Sequence, residues 1–549
     1  MISKKLINTL SNCFVWASIM FCAESITAQT PFVSKVWVAD NGDGTYKNPV
    51  LHADYSDPDA IRVGNYYYLV ASSFENIPGL PILRSSDLVN WHIIGNALTI
   101  QNPKEIFNTP QHGKGVWAPA IRFHKGEYLI YYPDPDFGIF VIRAKNPAGS
   151  WSTPVLVETG KGLIDPCPFW DEDGKAYLIH GFAGSRAGIK SFLVLKSLNA
   201  DGTKVLDAGK IIIDGHETDP TLEGPKLYKR KGYYYVFAPA GGVATGWQLV
   251  FRSKNIYGPY ERKVVMDQGK TEINGPHQGA WVTTPSGEDW FLHFQDKGVF
   301  GRVVHLQPMS FKNDWPVIGI DPDQDGKGEP VLTYKKPKSV IPSVIETPQD
   351  SDEFNTLDLG LQWQWNANPK PTWSFVYPSK GVLRLFSDKI PPNENLWWTP
   401  NVLLQKFPAP AFTVTTKLQF TPCERLINEK VGLTILGFSY ANIALKSAKD
   451  GVWLTYTTCK DADNHKLETE TKIKQIDPKQ AIYFRVKVQE RGVCQFGYSF
   501  DNQCFTQVGE AFQAEVGRWI GAKFGLFATR EDTINDSGYA DFDWVRVEK

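Results

Sequence analysis

One pattern of apolar and polar positions recurs through the first two-thirds of the chain: a β-type run, a turn containing glycine, then an aromatic-rich run of strand type. The copies are Ala60–Leu69, Ala120–Leu129, Cys167–Leu178, Lys226–Tyr235 and Ala280–Phe291. Their turn glycines, Gly64, Gly126, Gly174, Gly232 and Gly287, lie 62, 48, 58 and 55 residues apart. That spacing suits one four-stranded sheet per repeat, and five such sheets predict a five-bladed β-propeller. A single large sandwich also alternates strands with turns, but it does not require five copies at near-constant spacing.

A Pro-rich stretch from Lys335 to Pro348 reads as a linker, and the repeat stops there. Beyond it, Gly381–Phe386, Phe412–Phe420, Ala481–Val488 and Phe542–Val547 alternate in strand fashion. This predicts a second all-β domain, a β-sandwich over 349–549, after a propeller over 29–334 and a linker over 335–348.

The chain has 549 residues, 42% hydrophobic and 13% aromatic, too much apolar surface to remain unfolded. Lys+Arg 58 against Asp+Glu 59 leaves a charge of −1, without the positive surplus that nucleic acid demands, so no nucleic-acid partner is expected. Lys4 and Lys5 precede an uncharged stretch, Cys13–Ala23, and a small residue at Ala28 offers a cleavage point. Residues 1–28 are therefore expected to be a signal peptide, too short in its apolar part to span a bilayer. The mature protein would be secreted or periplasmic, with no integral membrane segment. Five cysteines remain after cleavage, an odd number in a large chain, which is no disulfide framework, although Cys494 and Cys504 are close enough to close a hairpin.

The residues heading each repeat, seven to ten positions before the turn glycine, are Asp57, Trp117 with Ala118, Asp165, Glu223 and His277. In a propeller these positions converge on one mouth of the central channel. Hydrolysis of a glycosidic bond needs one carboxylic acid to protonate the leaving oxygen and one carboxylate to activate water or attack the anomeric carbon. A third carboxylate nearby would raise the acid's pKa by like-charge repulsion. Taken singly each residue has a plainer reading: Asp-Pro pairs form turns, Glu223 suits a solvated loop, and His277 and Trp117 suit a core. Their shared register across separate repeats is what turn chemistry does not require.

Together with Ser73-Phe74-Glu75, Pro78-Gly79, Ser86–Trp91, Val116–Pro119, Gly301-Arg302 and Leu306-Gln307, these motifs resemble glycoside hydrolase family 43 from about Asn48 to the end. The likeness is to the β-xylosidase and α-L-arabinofuranosidase members, whose C-terminal sandwich is of jelly-roll, concanavalin-like form. The resemblance implies Asp57 as general base, Glu223 as general acid and Asp165 as pKa modulator, in an inverting reaction. Inversion needs carboxyl groups about 6.5–9.5 Å apart, to admit a water. It further implies substrate binding by Trp117, Phe74, His277 and Arg302, the last on a sugar hydroxyl or steadying a carboxylate. No cofactor is required; a hydrated structural calcium at the propeller centre, on His277, is the one ion the resemblance raises.

Family β-xylosidases read Phe-Glu-Trp-Phe-Pro-Gly where this chain has Phe74-Glu75-Asn76-Ile77-Pro78-Gly79, a segment expected to shape the sugar pocket. Loss of two aromatics favours release of terminal α-L-arabinofuranose from arabinoxylan, xyloglucan or arabinan oligosaccharides. The alternatives are a β-D-xylosidase on xylo-oligosaccharides, an inactive carbohydrate-binding propeller, and a retaining fructan-active enzyme. The sandwich is expected to brace the propeller rather than bind polysaccharide. Asp321–Gly326 resembles the start of a calcium loop, but Leu332 stands at the twelfth position, where a bidentate Glu belongs, so an acidic turn is expected. Gly-x-Ser-x-Gly, His-Glu-x-x-His and Gly-x-Gly-x-x-Gly motifs are absent, which leaves serine hydrolase, zincin and Rossmann readings without support.

Overall fold

The computed structural model describes residues 31–549, so the expected signal peptide lies outside the described residues. Five four-stranded sheets, each a meander of consecutive antiparallel strands, form blades I to V. Their first strands are Asp59–Val63, Ala120–His124, Leu163–Trp170, Lys226–Arg230 and His277–Thr283. The five turn glycines each join the first strand of a blade to its second, at φ between 62° and 84°. A Cβ at any of them would meet nothing, so glycine is there for its left-handed backbone rather than for space.

Side chains tie each first strand to the next around the ring. Buried Asp59 accepts from the Ile121 amide (2.8 Å) and Arg122 Nη1 (2.7 Å), and Arg122 Nη2 donates to Cys167 Sγ at 2.8 Å. Cys167 Sγ also accepts from the Leu227 amide at 3.3 Å, Tyr228 Oη from the Trp281 amide at 3.0 Å, and Arg62 Nε donates to Thr283 O at 2.7 Å. Cys167 is thus a buried acceptor between blades, and the buried Asp59 charge is paired with Arg122, the condition under which a buried charge is tolerated. The ring is sealed at blade V. There Thr45–Lys47 pairs with Thr333–Lys335, Leu51 bridges Val304, and Asn48 Nδ2 donates to Leu306 O (2.8 Å) and Val331 O (2.7 Å).

After Lys335 the chain runs without strands until Gln364–Trp365, where the sandwich begins. Its two sheets have eight and seven strands, with the inward faces of both packed into one apolar core. Cys494 does not pair with Cys504. Its strand position faces Phe512 and buries the thiol in the core, whereas Cys504 sits exposed in a turn closed by its amide on Asp501 Oδ1. Among the described residues no helix is long and apolar enough to cross a membrane.

Candidate active site

The backbone changes course where the first strands begin. Asp57 (φ 54°), Asp165 (φ 56°), Gly224 (φ 60°) and Gln278 (φ 33°) are all left-handed, and the pairing register shifts between Ile164 and Cys167 and between His277 and Gly279. For a non-glycine residue that conformation costs roughly 1 kcal/mol, a strain that folds tolerate where a side chain must be aimed.

Asp57, 6% exposed, accepts from Ser72 Oγ at 2.6 Å on one oxygen and from Arg302 Nη1 at 2.9 Å on the other. Arg302 also donates to Ser56 Oγ at 3.1 Å and lies over the Phe294 ring, so it steadies a carboxylate. Asp165, 3% exposed, accepts from the Gly224 amide at 2.8 Å. Burial, then the charge of Glu223 and then that of Asp57, pushes the Asp165 carboxyl up to about 7. The upward shift thus falls on Asp165 itself. Glu223, with its side chain 25% exposed, shares a 2.7 Å hydrogen bond with His277 Nε2. The His277 side chain is 1% exposed, which corrects its expected substrate contact: it positions Glu223 from behind. The three carboxyl groups therefore differ in kind: one faces a guanidinium, one is backbone-held and raised, and one reaches solvent.

The raised pKa has a consequence for stability. Folding holds Asp165 protonated up to about 7 against an ordinary value of 3.8, so a penalty to folding is absent below about pH 4, grows as the unfolded carboxyl ionises, and is complete above about pH 7. Asp165→Asn keeps an acceptor for Gly224. Calorimetry is expected to show it more stable than the parent at pH 8, by roughly 1–3 kcal/mol, with the gain vanishing toward pH 4. An equal shift at both pH values would contradict this assignment.

Half-buried Trp117 stands beside these groups, its Nε1 bonded to Gly113 O at 3.0 Å. Phe74 backs it edge-on at 6.3 Å between centroids, and Trp519 of the sandwich meets its other side at 6.1 Å. Sequence reasoning missed Trp519, Ser72, Asp54 and Asp134. Asp134 ends the second strand of blade II next to the mouth, and burial, with Asp136 adding to it, pushes its carboxyl up to about 7.

Beyond Phe74, residues 75–78 are fastened away from the pocket, mostly to the sandwich. Asn76 accepts from the buried Lys523 Nζ at 2.7 Å, and Ile77 exchanges backbone hydrogen bonds with Trp365. Pro78 O accepts from Gln364 Nε2 at 2.8 Å. Glu75 accepts from the Gly113 amide at 3.1 Å and pairs with His112 Nδ1 at 3.0 Å, whose ring stacks on Trp397. Asn76 and Ile77 are both almost fully buried against this partner, so neither side chain faces the open sugar pocket. Their expected role in shaping the pocket is corrected accordingly.

At the position where a hydrated calcium is expected, His277 Nε2 is engaged by Glu223 and its Nδ1 is buried and unpartnered, so the protein would supply one nitrogen and water the oxygens that calcium takes. Among the described residues the sole acidic or histidine group gathered within ion-holding distance is Asp321, Asp323 and Asp325, in the acidic turn.

A propeller whose blade heads present three unlike carboxyl groups beside an aromatic rim defines a glycoside hydrolase. Residues 46–316 match the family described as Glycosyl hydrolases family 43, and residues 351–548 match the Beta xylosidase C-terminal Concanavalin A-like domain. The chain belongs to glycosyl hydrolase family 43. A Xylanibacter ruminicola protein that carries a beta-xylosidase name is 40% identical over 90% of this chain and 88% of its own. A beta-xylosidase of Formosa agariphila is 32% identical over 92% and 90%, respectively. A non-reducing end alpha-L-arabinofuranosidase of Bacteroides ovatus is 29% identical over 91% and 94%.

Proposed function

We propose that the protein is an exported, inverting exo-β-D-xylosidase that removes terminal xylose from xylo-oligosaccharides. Asp57, held by Arg302 and Ser72, takes a proton from the attacking water. Glu223, held by His277, gives one to the glycosidic oxygen. Asp165 keeps a proton in the shared site and fixes the backbone that follows Glu223 through Gly224. The observation that carries this reading is the trio of carboxyl groups at the heads of blades I, III and IV, in three different electrostatic settings. Xylose is favoured over arabinofuranose because the two most similar of these relatives are named for β-xylosidase, and because Asn76 and Ile77 no longer argue for arabinose. Arabinofuranosyl release stays as the second reading, supported by the Bacteroides ovatus relative.

Proton NMR of xylobiose hydrolysis tests both sugar and mechanism. The first-formed xylose is expected as the α-anomer, since inversion of a β-glycoside yields α. First appearance of β-xylose would mean retention and would remove Asp57 as a base acting through water. Release of arabinose but no xylose from a matched panel of arabinofuranosides and xylosides would favour the second reading.

A further inference from the structure

The loops at the catalytic end of the ring build a second feature beside the mouth. A groove of about 560 Å³ is lined by Lys114, Lys161 and Arg186, with Asp136, Phe137 and Ile106 among its other walls. Ile106 and Lys114 come from the connection between blades I and II, and Asp136 and Phe137 from the turn after the second strand of blade II. Lys161 lies two residues before the first strand of blade III, and Arg186 belongs to the turn after its second strand. All of these segments lie at the end of the ring where first strands start and second strands finish, the end that also carries Asp57, Asp165 and Glu223. The Arg186 guanidinium lies over the Trp117 ring at 5.3 Å, so the groove adjoins the sugar pocket directly.

Its lining is net positive, three cations to the one carboxylate of Asp136, with the buried Asp134 within reach of the Lys114 and Arg186 charges. Arg186 has Asp136 at 3.5 Å, and Lys114 Nζ reaches only the neutral Gln111 amide oxygen, at 3.0 Å. Among the described residues neither Lys114 nor Lys161 stands in a salt bridge, and Lys161 is exposed. Phe137 and Ile106 add apolar surface of the kind on which a sugar ring packs.

Resting on the xylosidase reading, we propose that this groove holds a carboxylate-bearing sugar, a uronic acid substituent on the unit next to the terminal xylose. The preferred substrates would then be acidic xylo-oligosaccharides. Two or three partly exposed cation–carboxylate contacts set a preference of the order of fivefold, and salt screens it.

The test compares three substrates: xylotriose, xylotriose with a uronic acid on its second sugar, and the same branched compound with its carboxyl reduced to the alcohol. For the parent, kcat/KM on the acidic compound is expected to exceed that on its reduced twin by about fivefold at low ionic strength, and to converge with it at about 0.5 M salt. Lys161→Ala is expected to lower that ratio through KM, and Lys161→Arg to keep it. Equal rates on the acidic and reduced compounds, with xylotriose still cleaved, would overturn the groove assignment while leaving the xylosidase reading intact. Failure to cleave any of the three would overturn both.

Discussion

Glu223→Ala is expected to slow hydrolysis of an unactivated xylo-oligosaccharide by about 10³-fold or more, while an aryl xyloside with an acidic phenol loses far less. The difference follows from what the leaving oxygen needs. A sugar alkoxide leaves only if protonated as the bond breaks, whereas a nitrophenolate carries its own charge. Glu223 is suited to that task because its side chain reaches solvent while His277 Nε2 holds Oε1 at 2.7 Å. The same variant, assayed on the activated substrate across pH, is expected to lose the alkaline limb of its profile, since that limb reports loss of the acid's proton. A merely structural contribution would lower both substrates alike and leave the profile's shape unchanged. That outcome would assign the proton donor elsewhere, with the raised carboxyl of Asp165 next to be tested.

Much of this site was legible because a propeller repeats one local problem five times. Each hairpin needs a left-handed turn residue, glycine supplies it without strain, and the spacing of Gly64, Gly126, Gly174, Gly232 and Gly287 announces the blades. More could have been read from the same register. Asp59 pairs with Val70 and Ala60 with Leu69, so continuing that hairpin toward the mouth sets Ser72 opposite Asp57. In blade II Ala120 pairs with Tyr131, and the same continuation sets Asp134 opposite Trp117. What no periodicity could reveal are contacts between distant segments. Trp519 sits in an irregular loop with φ 67°, and Lys523 lies on a strand whose pattern reads simply as sandwich. The segment 74–78 was misread for the same reason: its partners Lys523, Trp365 and Gln364 lie hundreds of residues away. The Cys494–Cys504 hairpin failed because nearness in sequence says nothing about which face of a strand a thiol occupies.

Those distant contacts lead to the second large effect: removing residues 349–549 is expected to give an insoluble or inactive propeller. The sandwich lies across the propeller at buried positions. Phe300 belongs to the sandwich core, and Asn76, Ile77 and Pro78 each lose a hydrogen-bond partner when it is removed. Water replaces those hydrogen bonds at a net loss of about 0.5–1.5 kcal/mol each, and the apolar surface of Phe300 and Ile77 is laid open at about 25 cal/mol per Å², against a total stability of about 5–15 kcal/mol for a domain. The damage also reaches the chemistry by a short path. Asp54 accepts from the Gly521 amide of the sandwich at 2.9 Å on one oxygen and from the Arg302 amide at 2.9 Å on the other, and Arg302 in turn holds Asp57. Without Gly521, Asp54 loses one of the two amides that orient it, next to the residue that fixes the proposed base. Soluble yield and turnover of an aryl xyloside by the truncated chain, beside the full-length protein, provide the measurement. A soluble fragment with full turnover would show that the propeller needs no brace, and the sandwich would then be sought as a glycan-binding module.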